Sequence, residues 1–329
     1  MQESVLVAFI TFAVSLYGLM RGADFLIDGS GDLARKANVS ELFIGLTIIA
    51  LGTSLPELVV SVRSALTGNV GLAYSNVIGS DLTNILLVLG SCAVVCPLSS
   101  SKGVRNDIPF LMALVLVLTV SVFSTVDFKL APLSASLSNI SGSILILFFL
   151  GFIYRTYKNR NLHLDDVEPS HIVHTTDEIN ISKTIALIVV GLVLLIAGGD
   201  YAVSSAVEIA QLLGISETTI GLTIVALGTS LPELVACLTA AYKGKGDMAI
   251  GNILGSNFMN ISLVLGVSSF LNEISIDFNG LIDLVVHLFV SILFCIVMLR
   301  KKQPVIGKAI GSLFVGLYVV YMVYVGTRS

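Results

Sequence analysis

Charge is what this sequence has little of. Asp, Glu, Lys and Arg make up 12% of its 329 residues, against about 25% in soluble domains. So small a share cannot clothe a water-facing surface, which excludes an ordinary soluble globule. The chain has no GxxxxGK[ST] loop and no stretch with room for a nucleotide domain, which argues against an ATP-driven pump. Its four cysteines, Cys92, Cys96, Cys237 and Cys295, make no CxxC pair and read as small packing residues in apolar helices. Met1 to Ser4 carry no basic residue, and the apolar run that follows is too long for a cleaved signal peptide, so it is expected to stay in the mature protein. No cofactor, nucleic-acid partner or enzymatic centre is implied.

What the chain does have is apolar length. Hydrophobic residues make up 55% and the mean hydropathy is +0.95. Runs of about 20 apolar residues, the length needed to cross a hydrocarbon core as helix, recur throughout. They predict an all-α integral membrane protein with ten transmembrane helices, at 4–26, 41–66, 71–97, 108–126, 138–156, 183–209, 218–242, 246–271, 281–299 and 306–326. With the N-terminus outside, fourteen Lys and Arg fall in inner loops and only Arg63, Lys129 and Arg328 in outer ones, Arg21 lying in the first helix. Basic residues near helix ends resist translocation. Both termini are therefore expected outside, in a multi-pass plasma-membrane protein.

An offset of 176 residues superposes Ile44-Gly-Leu-Thr-Ile on Ile220-Gly-Leu-Thr-Ile and Gly52-Thr-Ser-Leu-Pro-Glu-Leu-Val on its copy from Gly228. From Phe43 to Gly90, 27 of 48 positions agree without a gap. The chain is thus read as a repeat over 1–156, a polar cytoplasmic linker over 157–182 and a second repeat over 183–329. Five helices precede the second copy, so the repeats should be inverted, an arrangement that places transporter sites at the midplane between the halves.

Within each copy Pro56 or Pro232 lacks a backbone donor and clashes with the carbonyl four residues earlier, so the helix should kink and free the carbonyls near Ala50 to Thr53. The Glu that follows, Glu57 or Glu233, is costly inside a bilayer and needs a partner or a wet cavity. Neither span carries a Lys or Arg close enough to pair convincingly with its Glu. Two facing carboxylates repel unless cations lie between them, and a ligand set made only of oxygens suits hard ions such as calcium or sodium. The next helices carry Asn76-Val-Ile-Gly-Ser80-Asp-Leu-Thr-Asn84 and Asn252-Ile-Leu-Gly-Ser256-Asn-Phe-Met-Asn260. Ser80 with Asn84, and Ser256 with Asn260, share a helix face at four-residue spacing, while Gly79 and Gly255 would permit close backbone approach.

These paired GTSLPE segments, each followed by Gly-Ser-x-x-x-Asn, resemble the two alpha repeats of the cation/calcium exchanger superfamily, and among its members the compact prokaryotic sodium/calcium exchangers. The resemblance spans nearly the whole chain. It implies a core of eight helices with one calcium site among several sodium sites, across which the first and sixth helices slide. By matching position it implies Glu57 and Glu233 as shared carboxylates, oxygens from Thr53, Ser54, Thr229 and Ser230, and carbonyls from Ala50 and Ala226. Hydroxyls from Ser80 and Ser256 and the side chains of Asn84 and Asn260 would complete the site.

The sequence departs from that pattern in three places. Asn260 stands where the family often has Asp, Asp81 replaces an Asn, and Ser75 replaces a Gly. With no third central carboxylate, calcium would be neutralised without proton uptake. Asp81 lies about 100° around the helix from Ser80 and reads equally as a peripheral ligand, a gating charge or a solvated residue at the cavity mouth.

The expected function is sodium-for-calcium antiport at one site that cannot hold both complements together. Alternatives within the superfamily are calcium/proton antiport, which typically carries Gly-Asn-x-x-Glu in place of this hydroxyl-rich motif, and potassium-dependent exchange. A different class would be an uncoupled ion-binding sensor or channel. The partners are then calcium and sodium ions and membrane lipid, with no obligatory protein partner. Asp24 and Asp200 read as helix-end carboxylates at the water boundary, with an ion entrance as the other reading. His163, His171 and His174 belong to a polar linker, and His287, alone in the ninth span, should hydrogen-bond a neighbour.

Overall fold

The computed structural model describes residues 2–99, 102–127, 132–160, 180–213, 226–300 and 305–328. Helices account for most of them: α1 (Gln2–Ala37), α2 (Glu41–Thr53), α3 (Leu55–Leu66), α4 (Val70–Val95), α5 (Lys102–Phe123), α6 (Asn139–Lys158), α7 (Ile181–Leu212), α8 (Leu231–Tyr242), α9 (Gly246–Leu271), α10 (Phe278–Leu299) and α11 (Lys308–Arg328). Among the described residues eight helices are long and apolar enough to cross a bilayer, and α2 with α3, bent by 48°, makes a ninth span. The seventh expected span, 218–242, lies partly outside the described residues, as do most of the linker, its three histidines and the Ile220 to Ile224 motif.

The first helix runs further than its apolar pattern suggests. It ends at Ala37, so Arg35 and Lys36 close its last turn instead of lying in a loop. Asn38 supplies the stop, with φ at +53°, a left-handed conformation that Asn tolerates better than most residues. The next helix starts on Ser40, whose hydroxyl accepts the Phe43 N–H at 3.1 Å, an ordinary N-cap.

Burial separates the helices by role. In α4 and α9, 78% and 83% of the most apolar window is inside the protein, against 28% in both α1 and α7. The first pair is therefore the centre, and the second presents most of its surface to lipid. α1 and α7 lie against each other through glycines: a Cβ on Gly22 would sit 2.7 Å from the Leu195 nitrogen, and one on Gly191 would sit 2.6 Å from the Leu26 nitrogen. Small residues let membrane helices approach backbone to backbone, where dispersion rather than hydrophobic burial holds them. In the same way Gly255 brings α9 onto α2, since its Cβ would lie 2.6 Å from the Leu46 carbonyl oxygen. The corresponding close approach expected at Gly79 meets nothing within 4 Å among the described residues, and residue 222, the counterpart of Leu46, lies outside them.

Two short antiparallel ladders tie the helix ends together. β1 (Leu98–Ser99) pairs with β4 (Val305–Ile306), and β2 (Ala135–Leu137) pairs with β3 (Ile274–Ile276). Leu98 and Ile274 are 176 residues apart. Each ladder thus joins a strand before residue 157 to a strand after residue 182.

Asp24 is not at a helix end. It lies inside α1, where its carboxylate pairs with Lys243 at 2.9 Å, and Asp28 reaches the same ammonium at 2.8 Å. Partial burial disfavours that charge, but the two carboxylates outweigh it and hold Lys243 above its ordinary range. Lys245 adds a bond to the Ile27 carbonyl at 3.0 Å. The turn between α8 and α9 is thereby clasped to α1. Asp200 likewise lies inside α7, exposed.

The glycine seam yields a direct test. Gly22→Leu should lower stability by about 1–3 kcal/mol through forced separation of α1 from α7, whereas Gly18→Leu, with nothing within 4 Å of its Cβ, should leave the melting temperature in detergent unchanged.

Candidate ion-binding site

Each GTSLPE motif occupies a break. Ser54 leaves helical geometry at φ −85°, ψ 6°, and Ser230 repeats it at φ −89°, ψ 3°. Pro56 and Pro232 fall in the first turns of α3 and α8, where a missing N–H costs least. The helix therefore breaks just before the proline. The Ala50 carbonyl is less free than expected, since it accepts the Ser54 N–H at 3.0 Å. Its second lone pair faces the Thr53 hydroxyl at 3.4 Å. The side chain of Ala226 is outside the described residues, although its backbone begins the short turn Ala226–Gly228.

The breaks bring the two motifs together. Glu57 is 1% exposed and Glu233 0%, and the charges of the two sense each other. The Ser54 hydroxyl donates to Glu233 Oε1 at 3.3 Å, and the Ser80 hydroxyl to Glu57 Oε1 at 3.4 Å. Thr229 lies beside the Glu57 carboxylate and Thr53 beside that of Glu233, and the Ser54 hydroxyl of one motif serves the carboxylate of the other. Thr53 lies 3.5 Å from the Ser256 hydroxyl and donates to Asn252 Oδ1 at 3.2 Å, so α2 meets α9 there.

Several acceptors in this cluster have no donor. Glu57 Oε2, Glu233 Oε2, Asn84 Oδ1, Asn260 Oδ1 and the Ser230 hydroxyl are buried without a hydrogen-bond partner. Such orphans are rare because each costs desolvation with nothing returned. No Lys or Arg is buried among the described residues. The donors fit a hard cation: each of these five bare atoms is oxygen.

Asp81 is a correction to the sequence reading. It is 0% exposed, which rules out a solvated residue at a cavity mouth. Its Oδ1 accepts Asn260 Nδ2 at 3.1 Å, and its Oδ2 stands 3.3 Å from Nε2 of His287, itself 1% exposed. The centre accordingly holds a third carboxylate, which the pattern of Asn at 84 and 260 had seemed to omit. His287 stands beside that carboxylate at ion-pair distance, but the hydrogen bond expected of it is not made: Asp81 Oδ2 and His287 Nδ1 are both buried without a hydrogen-bond partner.

Sequence reasoning also passed over Asn76, Asn252 and Asn257 as site neighbours. Asn76 Nδ2 reaches the Ser61 hydroxyl at 2.9 Å and the Glu57 carbonyl at 3.4 Å, while Asn84 Nδ2 donates to Asn257 Oδ1 at 3.0 Å. The available signal was the offset itself, which pairs Asn76 with Asn252 and Asp81 with Asn257. Asn84 and Asn260 lie in one-turn widenings of helix over Thr83–Val88 and Asn260–Leu265, distortions that periodicity does not announce and that often accompany function.

A multi-pass helical membrane protein with buried carboxylates at paired helix breaks falls in the class of cation antiporters. The chain belongs to the sodium/calcium exchanger family: the family model described as sodium/calcium exchanger protein matches residues 7–158 and 183–327. It is 37% identical over 275 residues to the putative antiporter CaxA of Alkalimonas amylolytica, covering 83% of each chain. It is 29% identical over 298 residues to the sodium/calcium exchanger MaX1 of Methanosarcina acetivorans, covering 83% of this chain and 85% of the other. Among solved structures it superposes on the sodium-calcium exchanger NCX_Mj with a TM-score of 0.81 at 31% identity, covering 98% of this chain and 99% of that one.

If the hydroxyls hold the carboxylates in place, Ser54→Ala and Ser80→Ala should each destabilise the ion-free protein by about 1–3 kcal/mol through an unpaired buried oxygen, read as a lower melting temperature in buffer without calcium or sodium.

Proposed function

We propose that the chain is a secondary antiporter that exchanges sodium for calcium across the plasma membrane by alternating access to one midplane site. The observation that carries this reading is the meeting of Glu57 and Glu233 among bare oxygens with no buried basic residue among the described ones. Both carboxylates are kept there only if cations repay their repulsion and desolvation. One divalent ion does so, and so do several sodium ions. Because both complements need the same oxygens, one must leave before the other binds, and coupling follows from competition.

The ligands of this reading are Glu57 and Glu233, the oxygens of Thr53, Ser54, Thr229, Ser230, Ser80 and Ser256, the amides Asn84 and Asn260, and the carbonyls Ala50 and Ala226. Ten spans in two inverted repeats, with both termini outside, accommodate the ladders: β1 and β4 then share the inner side, and β2 and β3 the outer. Glycine-lined α1 and α7, largely free of the buried centre, suit elements that shift across it. The names of the relatives, sodium/calcium exchanger and antiporter, point the same way. The carboxylate at Asp81 removes the argument against proton uptake that rested on its absence, so pH must be varied separately from sodium.

The test is calcium uptake into vesicles holding purified protein, with an outward sodium, proton or potassium gradient imposed alone. Uptake driven by sodium is expected, and equal uptake driven by pH without sodium overturns the proposal. Glu57→Gln and Glu233→Gln should each abolish exchange while the protein stays folded, and near-normal flux in either would make the carboxylates structural.

A further inference from the structure

We propose that Asp81 is a positioning residue that turns both site asparagines, so that this chain holds its third central carboxylate behind the ions and not against them. The inference rests on the cation site proposed above. A side-chain amide carries an oxygen on one side and an NH2 on the other, and only its neighbours decide which way round it sits. At Asn260 the neighbour is the Asp81 carboxylate, 3.1 Å from Nδ2. A carboxylate accepts and does not donate, so the NH2 must face it and Oδ1 is left bare.

The other amide is fixed by the same residue at one remove. The backbone carbonyl of Asp81 accepts Asn257 Nδ2 at 3.3 Å, again an acceptor that admits no alternative. Asn257 must therefore present its oxygen to Asn84 Nδ2, 3.0 Å away. Asn84 Oδ1 is in turn bare. Two acceptors of a single residue thus decide that both amides offer oxygen, the only atom of theirs a cation can use.

The two halves build this contact from equivalent positions. Residues 84 and 260 are 176 apart, as are 81 and 257, so Asn84 with Asn257 and Asn260 with Asp81 are one contact made twice. Only one copy carries a charge. There the bond is charge-assisted, and stronger than its amide counterpart. His287 lies 3.3 Å from Oδ2, on the side of the carboxylate away from the Asn260 amide bond. Among the described residues no group of three His, Cys, Asp or Glu side chains is set to hold a metal together, which agrees with Asp81 standing behind Asn260.

A three-variant cycle on the full-length protein in vesicles tests this. Asp81→Asn keeps the shape but can offer an NH2 to Asn260, and the calcium concentration giving half-maximal sodium-driven uptake should rise about tenfold, the value of one charge-assisted bond. Asn260→Asp sets two carboxylates face to face and should also impair uptake. The two substitutions together restore a carboxylate-amide pair in reversed order, and should bring the half-maximal concentration back to within about threefold of the wild type if the effects are coupled.

An unchanged calcium dependence in Asp81→Asn, or a double variant no better than the worse single one, overturns the proposal. If Asp81→Asn fails to fold, recovery by the double variant decides. A wild-type protein without sodium-driven uptake counts against the exchange reading alone. In that case the calcium-induced rise in melting temperature of the same proteins reads the amide orientation, and equal rises in the wild type and Asp81→Asn refute it.

Discussion

Two carboxylates buried at membrane depth without a buried basic partner among the described residues set the terms for everything around them. Glu57 and Glu233 repel, and neither can relax into water. Each feature of the centre answers that problem. The break at Ser54 turns its hydroxyl across to Glu233, glycine brings α9 close to α2, and bare oxygens gather there. Lysine or arginine would neutralise the pair permanently. On the proposed exchange, a site that empties and refills cannot carry its own counter-ion, which would give the absence of buried basic residues among the described ones a reason.

The architecture was legible because lipid imposes simple rules on sequence. Apolar length gave the helices, the offset of 176 gave the duplication, and Pro with Glu in an apolar run marked the breaks. Legibility failed where the determining contact was between spans. Periodicity placed Asp81 on a helix face but not the helix opposite it, so its burial against Asn260 and His287 could not be read from spacing. Asp24 failed for a related reason. An apolar pattern that fades after Phe25 looks like a helix end, yet nothing in Leu26 to Ala37 stops the helix until Asn38, and the polar face there is paired with Lys243.

The duplicated halves have drifted in a particular way. The GTSLPE segments are identical, while the positions behind them differ, Asp81 against Asn257 and Ser61 against Cys237. Identity is kept where both halves must offer the same atoms to one spot, and difference is tolerated where only orientation of those atoms is at stake. Residues behind the two motifs face separate surroundings: Asp81 has His287 beside it, and Asn257 has the Asp81 carbonyl.

The crossed ladders have a bearing on synthesis. Leu98 and Ser99 find their strand partners only at Ile306 and Val305, and Ala135 to Leu137 find theirs at Ile276 to Ile274. When residues 1–156 have left the ribosome, both of their strands are still unpaired edges; β2 waits for residues 274–276 and β1 for residues 305–306. Contacts this distant in sequence close late. Once closed, the two ladders tie the chain before residue 157 to the chain after residue 182 at two separate places.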